Sequence, residues 1–217
     1  MDKSQYIENL ADRIEIEISS RCTIGCAACP RHTKHKDEWN SGFMDIDILK
    51  DVVMNSEYKQ YVFCGAYGDA IYHPKILDII TFMLGQRKKW FLETNGSHKP
   101  KKFWDKLVDL EWRYGCGFIF SMDGLEDTNH IYRKNSDWDS IMYGVNKILS
   151  LPRWERPRMK WKYLVFPYNE HQVEDARKFA NELGFDEFEA VKSLRNYKSS
   201  WFDSEEHHKQ IDWNYNA

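Results

Sequence analysis

The sequence predicts an α/β fold, a partial TIM-like (βα)6 barrel of parallel strands with outer helices. Three observations carry the prediction. Six strand patterns alternate with five helical ones, the chain has 217 residues, and several strands pair an apolar face with a charged one. Strands alternating with helices signal a parallel sheet, either doubly wound or barrel-like. A complete eight-unit barrel typically needs about 250 residues, so the length favours the partial form.

The first strand is RIEIEIS (13–19), where Ile14, Ile16 and Ile18 alternate with Arg13, Glu15 and Glu17. A polar, cysteine-bearing loop follows. MDIDILKDVVMNSEY (44–58) then spaces Ile46, Leu49, Val52 and Val53 at helical intervals, with Asp45 available as a cap. YVFC (61–64) reads as a buried strand, and Pro74 opens a helix with Ile76, Ile79, Ile80, Met83 and Leu84 on one stripe. WFLET (90–94) precedes the helix KKFWDKLVDLEW, and GFIFSM (117–122) precedes one carrying Trp138, Ile141, Met142, Val145, Ile148 and Leu149. MKWKYLVF (159–166) is the fifth strand. Its helix, with Val173, Ala176, Ala180 and Leu183, closes on Gly184 in the left-handed conformation, and EFEAV (187–191) is the sixth strand.

If the apolar faces of strands one, five and six pack on the helices, the opposite faces carry Glu15, Glu17, Lys160, Lys162, Glu187 and Glu189. A doubly wound sheet prefers near-continuous apolar strands, whereas a part-barrel around a polar ligand can use such residues. Solvent-facing edge strands are the plainer explanation. No repeat or Pro/Gly-rich linker divides the chain, so residues 1–195 read as one core domain. Residues 196–217, with Trp201, Phe202, Trp213 and Tyr215 but no clear period, read as a short tail over or beside the barrel.

An apolar fraction of 42%, with nine Trp, twelve Tyr and twelve Phe, excludes a disordered or collagen-like chain. A net charge of −3 does not call for a nucleic acid or an anionic membrane as an obligate partner. RHTKHK (31–36) and PRWERPRMKWK (152–162) read as solvated loops as readily as a nucleic-acid surface. No apolar run approaches the roughly 20 residues of a membrane span, and MDKSQYIENLADR lacks the apolar stretch of a signal peptide, so a cytoplasmic location is expected.

Three of the five cysteines stand together in CTIGCAACP, where Cys22, Cys26 and Cys29 have the spacing C-x3-C-x2-C. This is not the pattern of a secreted disulfide framework. The loop follows the first strand, and α/β folds place their active sites at the C-terminal ends of strands. Two metal chemistries fit. A structural zinc site would need a fourth ligand, for which His32 or His35 is available. A four-iron cluster on three thiolates would leave one iron open to a substrate or cofactor. Cys64 and Cys116 read as packing positions, His73 as a capping or packing residue, and His207 and His208 as surface residues.

The cysteine motif resembles that of the radical S-adenosylmethionine (SAM) enzymes, and the resemblance extends along residues 12–191. CGAYGDAIYHP (64–74) is similar to the family's glycine-glycine-glutamate segment, with Tyr67 in place of the first glycine and Asp69 in place of glutamate. ETNG (93–96) resembles its threonine-asparagine-glycine turn, SMDG (121–124) its serine-x-aspartate-glycine turn, and GFMDIDILK (42–50) the entry to its first helix. HIYR (130–133) stands at the spacing seen in the branches that modify peptides and cofactors.

The resemblance implies a [4Fe-4S] cluster on Cys22, Cys26 and Cys29 whose open iron chelates SAM. An electron from an external flavodoxin- or ferredoxin-type donor would cleave SAM to methionine and a 5′-deoxyadenosyl radical, which abstracts hydrogen from a peptide or small-molecule or nucleotide substrate. Asp69 would receive the methionine amino group, and Gly68 would allow close approach. Ser121 and Arg133 would take the SAM carboxylate, and Thr94, Asn95 and Asp123 would lie around SAM or substrate. Ala28 replaces a frequent aromatic of the cluster loop, which leaves Tyr67 or Phe166 to stack on adenine. Lys162, facing the interior, could balance Glu17 and shape the substrate pocket. The competing reading is a non-catalytic zinc- or iron-sulfur-binding module on a degenerate barrel.

Overall fold

The computed structural model describes residues 12–33, 41–113 and 115–193. Six parallel strands form one sheet: β1 (Arg13–Ile16), β2 (Gln60–Phe63), β3 (Lys89–Thr94), β4 (Cys116–Ser121), β5 (Arg158–Val165) and β6 (Glu187–Lys192). Their order in the sheet is their order in the chain. A doubly wound sheet reverses direction about its first strand. This one does not, and with β1 and β6 left unpaired to each other it is an open barrel.

Five principal helices connect the strands: α2 (Ile46–Asn55), α3 (Ile76–Gly85), α4 (Lys101–Val108), α6 (Trp138–Leu149) and α7 (Val173–Leu183). Two four-residue helices add to them, α1 (Pro30–Thr33) after the cysteines and α5 (Asn129–Tyr132) before Arg133. Asp45 caps α2 as expected, Oδ1 accepting the Asp47 N–H at 2.7 Å and the Ile48 N–H at 3.3 Å. Gly184 closes α7 at φ 94°. Two boundaries differ from expectation. Pairing in β1 ends at Ile16, although the alternation runs on to buried Ile18, because the chain there turns to bridge Ser19 to Phe43. α3 begins at Ile76, not Pro74, because His73 holds Pro74 and Lys75 in a turn, its carbonyl accepting the Ile76 N–H and its Nδ1 the Lys75 N–H, each at 3.1 Å.

The core lies between the outer faces of the strands and the helices. Tyr61, Phe63, Trp90, Leu92, Phe118, Phe120, Trp161 and Tyr163 are fully buried there against the apolar stripes of the helices. Such side chains each contribute about 1.5–3 kcal/mol through burial. Trp104 of α4 stacks on Phe120 at 6.0 Å, and Gly144 of α6 has no Cβ because one would collide with the Trp104 ring.

The alternate residues point the other way, toward the barrel interior, and there the charges pair with one another. Lys160 bonds Glu187 at 3.1 Å and also Glu189, and Lys162 bonds Glu93 at 3.2 Å. The tail after residue 195, with His207 and His208, lies outside the described residues, as does His35. Among the described residues no helix is long and apolar enough to cross a membrane.

Candidate functional site

The C-terminal ends of all six strands open on one cavity of about 380 Å³. Cys22, Cys26 and Cys29 line one side. Tyr67, Gly68, Asp69, Thr94, Asn95, Ser121, Arg133 and Lys162 line the rest, so most of the predicted site residues are brought together.

The cysteine loop is braced on both flanks. The Gly25 and Ala27 N–H groups donate to the carbonyls of Lys134 (2.8 Å) and Tyr132 (3.0 Å), and Asn135 Nδ2 donates to the Thr23 carbonyl at 3.1 Å. From within the loop, Arg31 donates to the carbonyls of Cys22 (3.1 Å) and Ile24 (2.6 Å). The segment that carries Arg133 therefore also shapes the cysteine loop. Burial, followed by the charge of Asp69, pushes the Cys22 thiol up to about 12.

These residues suit a cluster of several metal atoms. Three soft sulfur donors stand on one wall of a cavity that is otherwise polar, with a buried arginine opposite. Among the described residues, no group of three or more His, Cys, Asp or Glu side chains is arranged to hold a metal ion. His32, a possible zinc ligand by sequence, sits 3.0 Å from Arg31 Nη2.

At the end of β2 the chain turns back sharply. Gly68 is needed because a Cβ there would run into the Ser19 carbonyl oxygen and the Ser20 backbone, so the close approach is that of the cysteine loop. Glu17 does not face the cavity. Its Oε1 accepts the N–H groups of Tyr67 (3.0 Å) and Gly68 (2.8 Å), which locks this turn to β1, and Glu15 lines the cavity instead.

Asp69 is buried at the cavity wall and its carboxylate accepts four hydrogen bonds. Oδ1 accepts the Ile71 N–H at 3.1 Å, and Oδ2 accepts Thr94 Oγ1 (3.0 Å), the Asn95 N–H (2.7 Å) and Asn95 Nδ2. Burial nevertheless raises it to about 6. A carboxylate with four donors ties the ends of β2 and β3 together; three of them crowd Oδ2, which leaves Oδ1 as the oxygen open to a further donor.

Across the cavity, Arg133 Nε lies 2.8 Å from Asp123 Oδ2. Burial alone would lower the guanidinium, but Asp123, Cys26 and Tyr132 together outweigh it and keep Arg133 cationic. Asp123 itself is fully buried, accepts the Leu164 N–H at 2.8 Å and does not line the cavity. Ser121 donates to Glu93 at 2.8 Å.

Two further expectations are corrected. Phe166 is fully buried, packed on Tyr132 at 4.5 Å and Tyr168 at 5.5 Å, and Tyr132, with Tyr67, lines the cavity in its place. Lys162 balances Glu93, not Glu17. Burial would raise the Glu93 carboxyl, but Lys162, Ser121 and Arg133 together hold it below its ordinary value. The sequence assigns Glu93 no role, although its parity in β3, opposite to buried Trp90 and Leu92, turns it inward.

Cys64, read as a packing position, lines the same cavity with its thiol 3.8 Å from Glu15. Cys116 is buried, and its thiol lies 2.7 Å from the Arg113 carbonyl. His73 is the packing residue expected: Nδ1 accepts the Lys75 N–H at 3.1 Å, which leaves Nε2 to donate to the Met44 carbonyl at 2.8 Å. Within the second basic stretch, Arg156 is spent on Asp186 at 2.8 Å.

No family model and no curated protein matches the sequence. Solved structures do match. SuiB of Streptococcus suis bound to S-adenosylmethionine superposes with a TM-score of 0.64 at 13% identity, over 86% of this chain and 42% of that one. Native anSMEcpe with bound AdoMet and the Kp18Cys peptide gives 0.64 at 16% identity, over 86% and 55%. A radical SAM methyltransferase from Sphaerobacter thermophilus gives 0.56 at 10% identity, over 86% and 59%. The chain thus spans about half the length of the structures it matches. At these identities the likeness is one of architecture, and the open six-stranded parallel barrel described above is the fold that the chain shares with these structures.

Proposed function

We propose that this chain is a radical SAM enzyme in which Cys22, Cys26 and Cys29 hold a [4Fe-4S] cluster and the surrounding strand ends hold SAM. The observation that carries the reading is the convergence of the three thiols, Ser121 and the fork of Arg133 on one cavity at the C-terminal ends of the strands. When bound and reduced by an external flavodoxin- or ferredoxin-type donor, such a cluster supplies the electron that cleaves SAM to methionine and a hydrogen-abstracting 5′-deoxyadenosyl radical.

The chain's own residues bind and orient. Arg133, oriented by Asp123 through Nε, presents its remaining N–H groups to the SAM carboxylate, for which a guanidinium is suited by shape and charge. Asp69 holds Thr94 and Asn95 in place, and Tyr67 and Tyr132 offer aromatic surface to the adenine. Ile24, Leu164 and Val191 give the cavity apolar wall that limits water around a reactive intermediate.

Deeper in the barrel, Glu15, Glu93 and Lys162 make a polar floor that suits a peptide or a polar small molecule. SuiB has been solved with its precursor peptide SuiA, and anSMEcpe with the Kp18Cys peptide, which supports trying peptides first. All five cysteines are free thiols, in keeping with a reducing, cytoplasmic setting.

Anaerobic reconstitution followed by reduction with dithionite in the presence of SAM tests the proposal. The expected result is about four iron atoms per chain and formation of 5′-deoxyadenosine. Zinc in place of iron, or a cluster without SAM cleavage, would move the protein to the class of binding modules.

A further inference from the structure

Asn95 follows β3 directly and is 4% exposed. Its Oδ1 accepts the Ser97 N–H at 2.9 Å, which identifies the oxygen end of the carboxamide. The reverse orientation would set that oxygen against the Asp69 carboxylate and an N–H against the Ser97 N–H, both repulsive. Nδ2 therefore faces Asp69 and Cys22. One N–H goes to Asp69 Oδ2, and the other reaches Cys22 Sγ with nitrogen and sulfur 3.5 Å apart. Asp69 is fixed in turn by Thr94 Oγ1 at 3.0 Å and the Ile71 N–H at 3.1 Å. A rigid chain of hydrogen bonds thus runs from the β2 turn to one cysteine sulfur.

An N–H aimed at sulfur favours whichever state places more negative charge on that sulfur. When a metal group ligated by the sulfur gains an electron, charge density on the sulfur rises, and the donor eases the reduction. We propose that Asn95 is a positioning residue which, held by Asp69, directs an N–H at Cys22 and raises the reduction potential of the metal group that Cys22 ligates. The inference rests on the proposed cluster.

Asn95→Leu removes the donor while keeping the branched shape of the side chain, and Asn95→Ser keeps a hydroxyl for Asp69 but is too short to reach the sulfur. Both are expected to load as much iron as the wild type, with a midpoint potential, read by EPR-monitored redox titration, shifted to more negative values. Thr94→Val, which takes a donor from Asp69 without touching sulfur, is expected to shift it less.

Loaded variants with the wild-type potential would overturn the inference and leave the cluster standing. A wild-type chain that binds no iron would overturn the proposed function instead. Should the variants fail to fold, pulsed EPR of the reduced wild type prepared with 15N-labelled asparagine is expected to resolve a 15N coupling to the cluster. Absence of that coupling would refute the N–H···S contact.

Discussion

Arg133 Nε and Asp123 Oδ2 stand 2.8 Å apart in a setting where Asp123 is fully buried and Arg133 nearly so. Only one edge of the guanidinium is taken, and Arg133 lines the cavity. Arg133→Ala is expected to weaken SAM binding by about two orders of magnitude, the scale of a lost charge-assisted bidentate contact. Asp123→Asn, which keeps the volume but releases the orientation, is expected to cost about tenfold. Equilibrium dialysis against the reconstituted protein measures both, and equal affinity in Arg133→Ala would remove Arg133 from the site.

Each of Cys22→Ala, Cys26→Ala and Cys29→Ala should leave less than about one iron per chain, because three thiolates are the fewest that hold a four-iron group. Thermal melting of the metal-free proteins should stay within a few degrees of wild type, since the loop is braced by backbone bonds to Tyr132 and Lys134 that need no thiol. A Cys26→Ala variant that still cleaved SAM would show the assignment to be wrong.

Gly68→Ala is expected to be among the most disruptive single substitutions. Its methyl would meet the backbone of Ser19 and Ser20, which cannot move without dislodging the cysteine loop. A loss of at least about 2 kcal/mol is expected in urea denaturation. Gly184→Ala, strained only by its φ of 94°, should cost about 1 kcal/mol.

Lys162→Met would leave Glu93 without its cation inside the barrel. The expected loss is about 2–3 kcal/mol, below that of a fully buried pair because the cavity admits water. The double variant Lys162→Met/Glu93→Leu should regain most of it. If both proteins unfold at the same urea concentration, the pair carries no structural role.

Asp186 supplies the pH dependence. Burial would raise its carboxyl, but the Met159 N–H and Arg156 outweigh burial and hold it below the usual carboxylate range. A depressed carboxylate stabilises the fold above its unfolded value of about 4, and the contribution vanishes as pH falls through the folded value. Asp186→Asn should therefore lose about 1.5–3 kcal/mol at pH 7, with wild type and variant converging in more acid solution. A difference that persists unchanged at pH 2 would mean that the charge of Asp186 is not what stabilises this corner.

What the sequence alone determined is local. The alternation of Ile14 and Ile16 with Glu15, the helical stripes closed by Asp45 and Gly184, and the crowding of Cys22, Cys26 and Cys29 all depend on neighbours a few residues apart, where periodicity and capping chemistry operate. Strand parity even foretold an interior with charges of both signs. The tertiary structure decided which partner each charged group found. Glu17 turned to the Tyr67–Gly68 backbone, Lys162 chose Glu93, Asp123 withdrew behind Arg133, and Phe166 lost the cavity to Tyr132. Hydrogen-bond partners far apart in sequence are set by how strand ends meet across the barrel mouth, and no spacing along the chain encodes that meeting.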